Sequence, residues 1–151
     1  MEMKVSIGSD HRGIDQRAKI ADAIESAGHE VDDRGTDSTE ACDYPDVASD
    51  VARRVSGGQS ERGILICGTG IGVSIAANKI PGIRAAVCHD LHTVEMSRRH
   101  NDANVLCMAA DIEEPVMREM VAKWLATSFD GGRHERRVGK IASLENRVTA
   151  G

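Results

Sequence analysis

The chain has 151 residues, enough for one real core and the commonest size of a single domain. Hydrophobic residues are 40% and charged residues 28%, an ordinary globular balance, but the aromatics are Tyr44, Trp124 and Phe129 alone. The core must therefore be aliphatic, a base-stacking surface for single-stranded nucleic acid is excluded, and a formal net charge of −5 argues against a general phosphate-backbone binder.

The first strand is expected at Lys4-Val5-Ser6-Ile7-Gly8, followed by a helix from Arg12 to Ala27 with Ile14, Ala18, Ala21 and Ile24 on one face. Gly28 suits its C-terminal cap. His29 to Arg34 reads as a weaker strand, Thr36 to Tyr44 as polar loop, and Pro45 as the first turn of a helix reaching about Val55, ended by Gly57-Gly58. The unbroken apolar run Gly63-Ile64-Leu65-Ile66-Cys67 predicts a strand covered on both faces. A glycine-rich turn, a short helix through Lys79 and a Pro81-Gly82 turn follow. Ile83 to Cys88 is a fourth strand, Asp90 to Arg99 a helix, Asn104 to Ala109 a fifth strand and Glu113 to Thr127 a long helix. A last helix runs from about His134 to Arg147.

Alternation of strands and helices implies parallel strands with right-handed crossovers. The expected fold is a single α/β domain over residues 1–151: a three-layer, Rossmann-like α/β/α sandwich on a five-stranded parallel sheet. No apolar run approaches the ~20 residues of a membrane span, and no secretory leader is expected. No pair among Cys42, Cys67, Cys88 and Cys107 has C-x-x-C spacing, so neither a zinc site nor a thioredoxin-like motif is expected; three of the four sit in or after apolar runs, as buried reduced cysteines do, and a reducing cytoplasm is the expected compartment.

Ligands in such sheets bind beyond the carboxyl ends of the strands, so the residues there carry the chemistry. After the first strand stand Asp10 and His11, a pair able to orient hydroxyls and carry protons, although Asp10 could equally cap the next helix. After the third comes Cys67-Gly68-Thr69-Gly70-Ile71-Gly72-Val73-Ser74. Alternating glycines before a helix let main-chain N–H groups converge into an anion-binding nest. The spacing is neither that of a dinucleotide loop nor that of a P-loop. Cys67 sits beside the nest, whose N–H groups favour a thiolate able to act as base or nucleophile. His100-Asn101 precedes the fifth strand and suits acid–base work on a sugar, with a helix C-cap as the plainer reading. Arg133 and Arg137 share one helical face and suit a phosphate, where a solvated basic face is the plainer reading. No group of His, Cys and carboxylates has metal-site spacing, so no metal is expected.

Taken together, Gly8-Ser9-Asp10-His11, Asp43-Tyr44-Pro45, the stretch from Gly63 to Gly72, Ala76-Ala77-Asn78-Lys79, His100 to Leu106 and Gly131-Gly132-Arg133-His134 resemble the type B ribose-5-phosphate isomerases. That family also holds galactose-6-phosphate and allose-6-phosphate isomerases, and the resemblance runs in order over about residues 3–146. It implies an aldose–ketose isomerase in which Cys67 takes the proton from carbon 2, Thr69 and the amides of Gly68, Gly70, Gly72 and Ser74 hold the enediolate oxygens, and Asp10 binds sugar hydroxyls. His100 would assist ring opening beside Asn101, His11, Arg133 and Arg137 would hold the phosphate, and Tyr44 would line the pocket. Members without the cysteine use a glutamate in the glycine loop, where this chain has Val73. The resemblance also implies a homodimer, with the His100–Asn101 segment supplied across the interface and no cofactor, and leaves open whether dimers pair into a tetramer. One departure stands out: the family's Gly-x-Arg after the fifth strand is Ala109-Ala110-Asp111 here, which weakens phosphate binding or signals another sugar, such as erythrulose 4-phosphate. Two rival readings use the same residues, a non-catalytic sugar-phosphate sensor and a hydrolase with Cys67 as nucleophile and His100 as base.

Overall fold

The computed structural model describes residues 1–36, 38 and 40–150, with side chains as far as 146. Residues 37 and 39, part of the expected loop after the second strand, lie outside the described residues. In chain order the elements are β1 (Lys4–Ser9), α1 (Ile14–Ser26), β2 (Glu30–Asp33), α2 (Tyr44–Ser56), β3 (Arg62–Cys67), α3 (Ile71–Ala77), β4 (Ala85–Val87), α4 (Leu91–Arg99), β5 (Val105–Ala109), α5 (Glu114–Ala126) and α6 (Arg133–Ala150). Every strand pair is parallel, in the order β2-β1-β3-β5-β4.

The period-2 alternation of the central strands builds two cores, one on each face of the sheet. Ile64 and Ile66 of β3 and Leu106 and Met108 of β5 point to one side, where they meet Ile20 and Ile24 of α1 and Met117, Met120, Val121 and Trp124 of α5. Leu65 and Cys67 of β3 and Val105 and Cys107 of β5 point to the other, against Ala48, Val51, Ala52 and Val55 of α2 and Val73 and Ala77 of α3. The expected three layers are therefore present, and Cys67 faces the α2–α3 layer.

Two expectations need correcting. The buried face of α1 is rotated from the predicted one: Ile20, Ala23 and Ile24 go inward with Gln16 and Arg17, while Ala18 is exposed. Polar partners draw that face in. Arg17 donates to Ser9 Oγ and the Thr36 carbonyl and pairs with Asp33, and Gln16 donates to the Ile112 carbonyl. The fourth strand is shorter than Ile83 to Cys88, because side-chain amides take the N–H groups at its start. Asn104 Oδ1 accepts from Arg84 and Asn78 Oδ1 from Ala85.

From β1 the chain steps outward to β2, and β3 then returns to the opposite side of β1. This reversal places a crevice beyond the carboxyl ends of β1 and β3, the usual ligand position in an open parallel sheet. Helix α6 stands apart from both layers. It is held by Glu145, which accepts from the Gly82 amide, and by His134, whose ring stacks on His100.

Candidate active site

A cleft of about 560 Å³ opens at that reversal, lined by Asp10, His11 and Arg12 after β1, Cys42 and Tyr44 before and at the start of α2, and Cys67, Gly68, Thr69, Ile71, Gly72 and Ile75 after β3. Its floor is Cys67, 5% exposed at the last position of β3. The Gly70 amide donates to Cys67 Sγ at 3.2 Å. That geometry requires glycine, since Gly70 has φ of +81° and a Cβ there would lie 3.0 Å from the Met108 carbonyl carbon. A main-chain N–H aimed at sulfur stabilises negative charge on it.

Thr69 is exposed beside the sulfur, and its Oγ1 accepts from the Ile71 amide at 3.1 Å. Because the oxygen is engaged as an acceptor, the hydroxyl hydrogen remains to donate to a ligand. Tyr44 closes the far wall. Its ring approaches Gly72 so closely that a Cβ there would lie 2.6 Å from the ring. Asp10 is buried and does not cap α1, whose N-cap is Gly13; its Oδ1 instead accepts from the Arg12 amide at 3.0 Å. His11 Nδ1 accepts from the Cys42 amide at 3.3 Å, which puts the ring hydrogen on Nε2 as a donor. Arg12 and Cys42 line the cleft without having been singled out as ligands from the sequence. The signal for Arg12 was its place directly after Asp10 and His11 at a strand end.

The other expected site residues lie elsewhere. Ser74 is turned into α3, its hydroxyl donating to the Ile71 carbonyl at 2.7 Å and its amide to Gly70 O at 3.3 Å, so it does not line the cleft. His100 is the C-cap residue of α4, the place expected of Asn101 in the plainer reading. Asn101 instead lines a second groove of about 490 Å³ between β4 and α6, together with Ile83, Ala86, Ile141 and Leu144. Arg133 and Arg137 are exposed on the first turns of α6. Cys67 is level with Ala109 at the carboxyl end of β5, whereas His100 and Asn101 precede its amino end. The strand alone separates the two groups by roughly 13 Å at 3.3 Å per residue.

His100 and His134 stack with centroids 4.1 Å apart and planes 10° from parallel, and Asp130 completes a trio of possible metal ligands within 4.8 Å of one another. Sequence spacing had not suggested this group, since the three come from separate segments. Arg99 already holds the Asp130 carboxylate at 3.2 Å. Burial, then the neighbouring His100, Arg133 and Arg137, hold the His134 imidazole below its ordinary range, against a smaller opposing pull from Asp130.

A doubly wound sheet with a thiol, a free hydroxyl donor and a carboxylate at its switch point is the framework of an aldose–ketose sugar-phosphate isomerase, and that is the class of this enzyme. The chain belongs to the ribose/galactose isomerase family, whose model matches residues 5–141. It is 45% identical to ribose-5-phosphate isomerase B of Escherichia coli over 145 residues, covering 95% of this chain and 97% of the relative. It is 40% identical to D-erythrulose-4-phosphate isomerase of Pectobacterium atrosepticum over 146 residues, covering 95% and 96%. The solved structure of Clostridium thermocellum ribose-5-phosphate isomerase B superimposes with a TM-score of 0.94 at 49% identity, covering 97% of this chain and 99% of that one.

Proposed function

We propose that this isomerase interconverts ribose 5-phosphate and ribulose 5-phosphate through an enediolate, with Cys67 as the base. The observation that carries the reading is the Cys67 sulfur on the cleft floor, with the Gly70 amide bonded to it and the Thr69 hydroxyl free to donate alongside. Cys67 removes the proton from carbon 2 as the carbonyl oxygen on carbon 1 gains negative charge. Thr69 and the loop amides stabilise that charge, a proton passes from the hydroxyl oxygen on carbon 2 to the oxygen on carbon 1, and the proton held by Cys67 returns at carbon 1, which leaves the carbonyl on carbon 2. Substrate and product are isomers, so no oxidant or reductant is consumed. Asp10 accepts from sugar hydroxyls, and His11 Nε2 donates to the phosphate. The phosphate serves as a handle that orients the reacting end.

The remaining machinery, His100, Asn101, Arg133 and Arg137, comes in this reading from a second copy of the chain. Three observations support a homodimer. A single chain keeps His100 and Cys67 at opposite ends of β5. Ile71 and Ile75 on the rim of the cleft are 53% and 58% exposed. Helix α6 presents Ile141 and Leu144 to the open groove beside Asn101. Burying these side chains against a partner removes apolar surface from water and delivers the His100 segment to the cleft. Among the described residues no helix is long and apolar enough to cross a membrane. All four cysteines are free thiols, which suits the reducing cytoplasm where we place the enzyme.

One observation favours another sugar phosphate: Asp111 is exposed just beyond β5, where the family pattern has a cation. The test is turnover of the purified protein without added metal or cofactor, on ribose 5-phosphate in parallel with galactose 6-phosphate, allose 6-phosphate and erythrulose 4-phosphate. The highest kcat/KM on ribose 5-phosphate is expected. A higher value on another sugar reassigns the substrate, and no conversion of any of the four sinks the isomerase mechanism.

A further inference from the structure

Most of the arginines among the described side chains are engaged. Arg17, Arg34, Arg54, Arg84, Arg98, Arg99 and Arg118 each face a carboxylate. Arg62 donates to the Trp124 and Leu125 carbonyls at the end of α5, and Arg53 to Ser49 Oγ. Among the described side chains, the arginines with neither an ion pair nor a hydrogen bond are Arg12 and the three on α6, Arg133, Arg136 and Arg137. In a chain of net charge −5 with so many carboxylates, a guanidinium left unpaired is set apart. Arg12 is the one of these four that lines the Cys67 cleft of its own chain.

Its placement is built by its neighbours. Asp10 Oδ1 accepts from the Arg12 main-chain amide, and its carboxylate makes no ion pair with the Arg12 guanidinium. The side chain then lies along Gly68: a Cβ on that residue would come 3.0 Å from Nη1 and 3.6 Å from Cδ. A side chain at Gly68 would push the guanidinium off the loop. The donor-bearing Nε2 of His11 is on the adjacent residue. Two neighbouring donors, one a fixed cation, thus face the same cleft, and an arginine fork suits the oxygens of a phosphate.

We propose that Arg12 is a substrate-binding and specificity-determining residue that grips the phosphate of the sugar phosphate in the cleft of its own chain. This rests on the isomerase reading above, which had assigned the phosphate to His11, Arg133 and Arg137. Arg12 supplies a cation beyond those on α6, in a chain that carries Asp111 after β5.

The test is steady-state kinetics of the full-length protein and its Arg12→Ala and Arg12→Lys variants on ribose 5-phosphate, with inorganic phosphate as a competing probe. Arg12 is exposed and makes no contact that holds the fold, so unchanged melting curves serve as the control. Loss of a charge-assisted hydrogen bond predicts a roughly tenfold or greater rise in KM for Arg12→Ala, with kcat falling less. The inhibition constant of phosphate should rise by a comparable factor, and Arg12→Lys should recover part of both as a point charge. Unchanged KM and unchanged phosphate inhibition overturn the proposal. So does a fall in kcat at constant KM, which would put the guanidinium at the reacting end. If the wild type does not turn over ribose 5-phosphate, the substrate reading fails separately. Direct titration of inorganic phosphate into wild type and Arg12→Ala then decides, and equal affinities refute the role of Arg12.

Discussion

At Cys67 the hydrogen bond to sulfur comes from the backbone. The +81° φ of Gly70 turns its amide back onto Sγ, and the Met108 main chain packed behind leaves no room for a Cβ. The same turn lets Thr69 accept from Ile71 and keep its own hydrogen outward. In the proposed mechanism the base and the hydroxyl donor thus stand two residues apart, at the end of β3 and in the loop after it. Replacing Cys67 with Ala should lower kcat on ribose 5-phosphate by about 10²–10⁴, the usual contribution of a positioned base. Circular dichroism should stay native, since a small side chain at the edge of the core is replaced by a smaller one. A variant with near-normal turnover would remove Cys67 from the base role. Thiol modification that spares activity would do the same.

Among the elements, the edge strand β2 includes no fully buried side chain in its four residues, so polar contacts matter to its attachment. Asp32 ties it to two neighbours, accepting from Ser6 Oγ of β1 at 3.0 Å and from Arg54 Nε of α2 at 2.6 Å. Burial works against the charged carboxylate, but the Ser6 hydroxyl, Arg54 and Arg34 outweigh it and hold the Asp32 carboxyl below its usual range. Its folded pKa is depressed, so this contribution is fully present above the unfolded carboxylate value of ~3.9 and is lost as pH falls through the folded value. Asp32→Ala should therefore cost about 1–3 kcal/mol in urea unfolding at pH 7, most of it from stranding Arg54. The gap from wild type should close in strongly acidic buffer. A gap that is the same at both pH values would mean that the carboxylate charge does not carry the effect.

For the whole molecule the decisive feature is that the expected site divides in two. Asp10, His11, Tyr44, Cys67 and Thr69 share one cleft, while His100, Asn101, Arg133 and Arg137 gather around α6 and the far end of β5. A homodimer with shared sites predicts complementation. Cys67→Ala and His100→Ala proteins, each nearly inactive, should regain activity after being unfolded together and refolded. Random pairing makes half the dimers mixed, and each mixed dimer has one site with both residues intact, so recovery should reach about a quarter of wild type. Light scattering should show a dimer or a tetramer. Absence of any recovery in demonstrably mixed dimers would place Cys67 and His100 in the same chain's site or remove one of them from catalysis.

Much of this was legible in the linear order of residues. Alternating strands and helices, the apolar run 63–67 and the glycine loop behind it are local patterns, and local patterns survive without tertiary information. They were sufficient for the three-layer class, for the placing of Cys67 beside the glycine loop, and, through the resemblance, for the family. What the folded chain alone decided depends on contacts between distant residues. The rotated face of α1 follows from Arg17 reaching Ser9, Thr36 and Asp33, which no helical period contains. The strand order β2-β1-β3-β5-β4 puts the crevice between β1 and β3. The inward turn of Ser74, the stacking of His100 on His134 and the unpaired guanidinium of Arg12 over Gly68 are outcomes of packing. A sequence shows which side chains could bind an anion, but only the fold shows which of them another charge has already claimed.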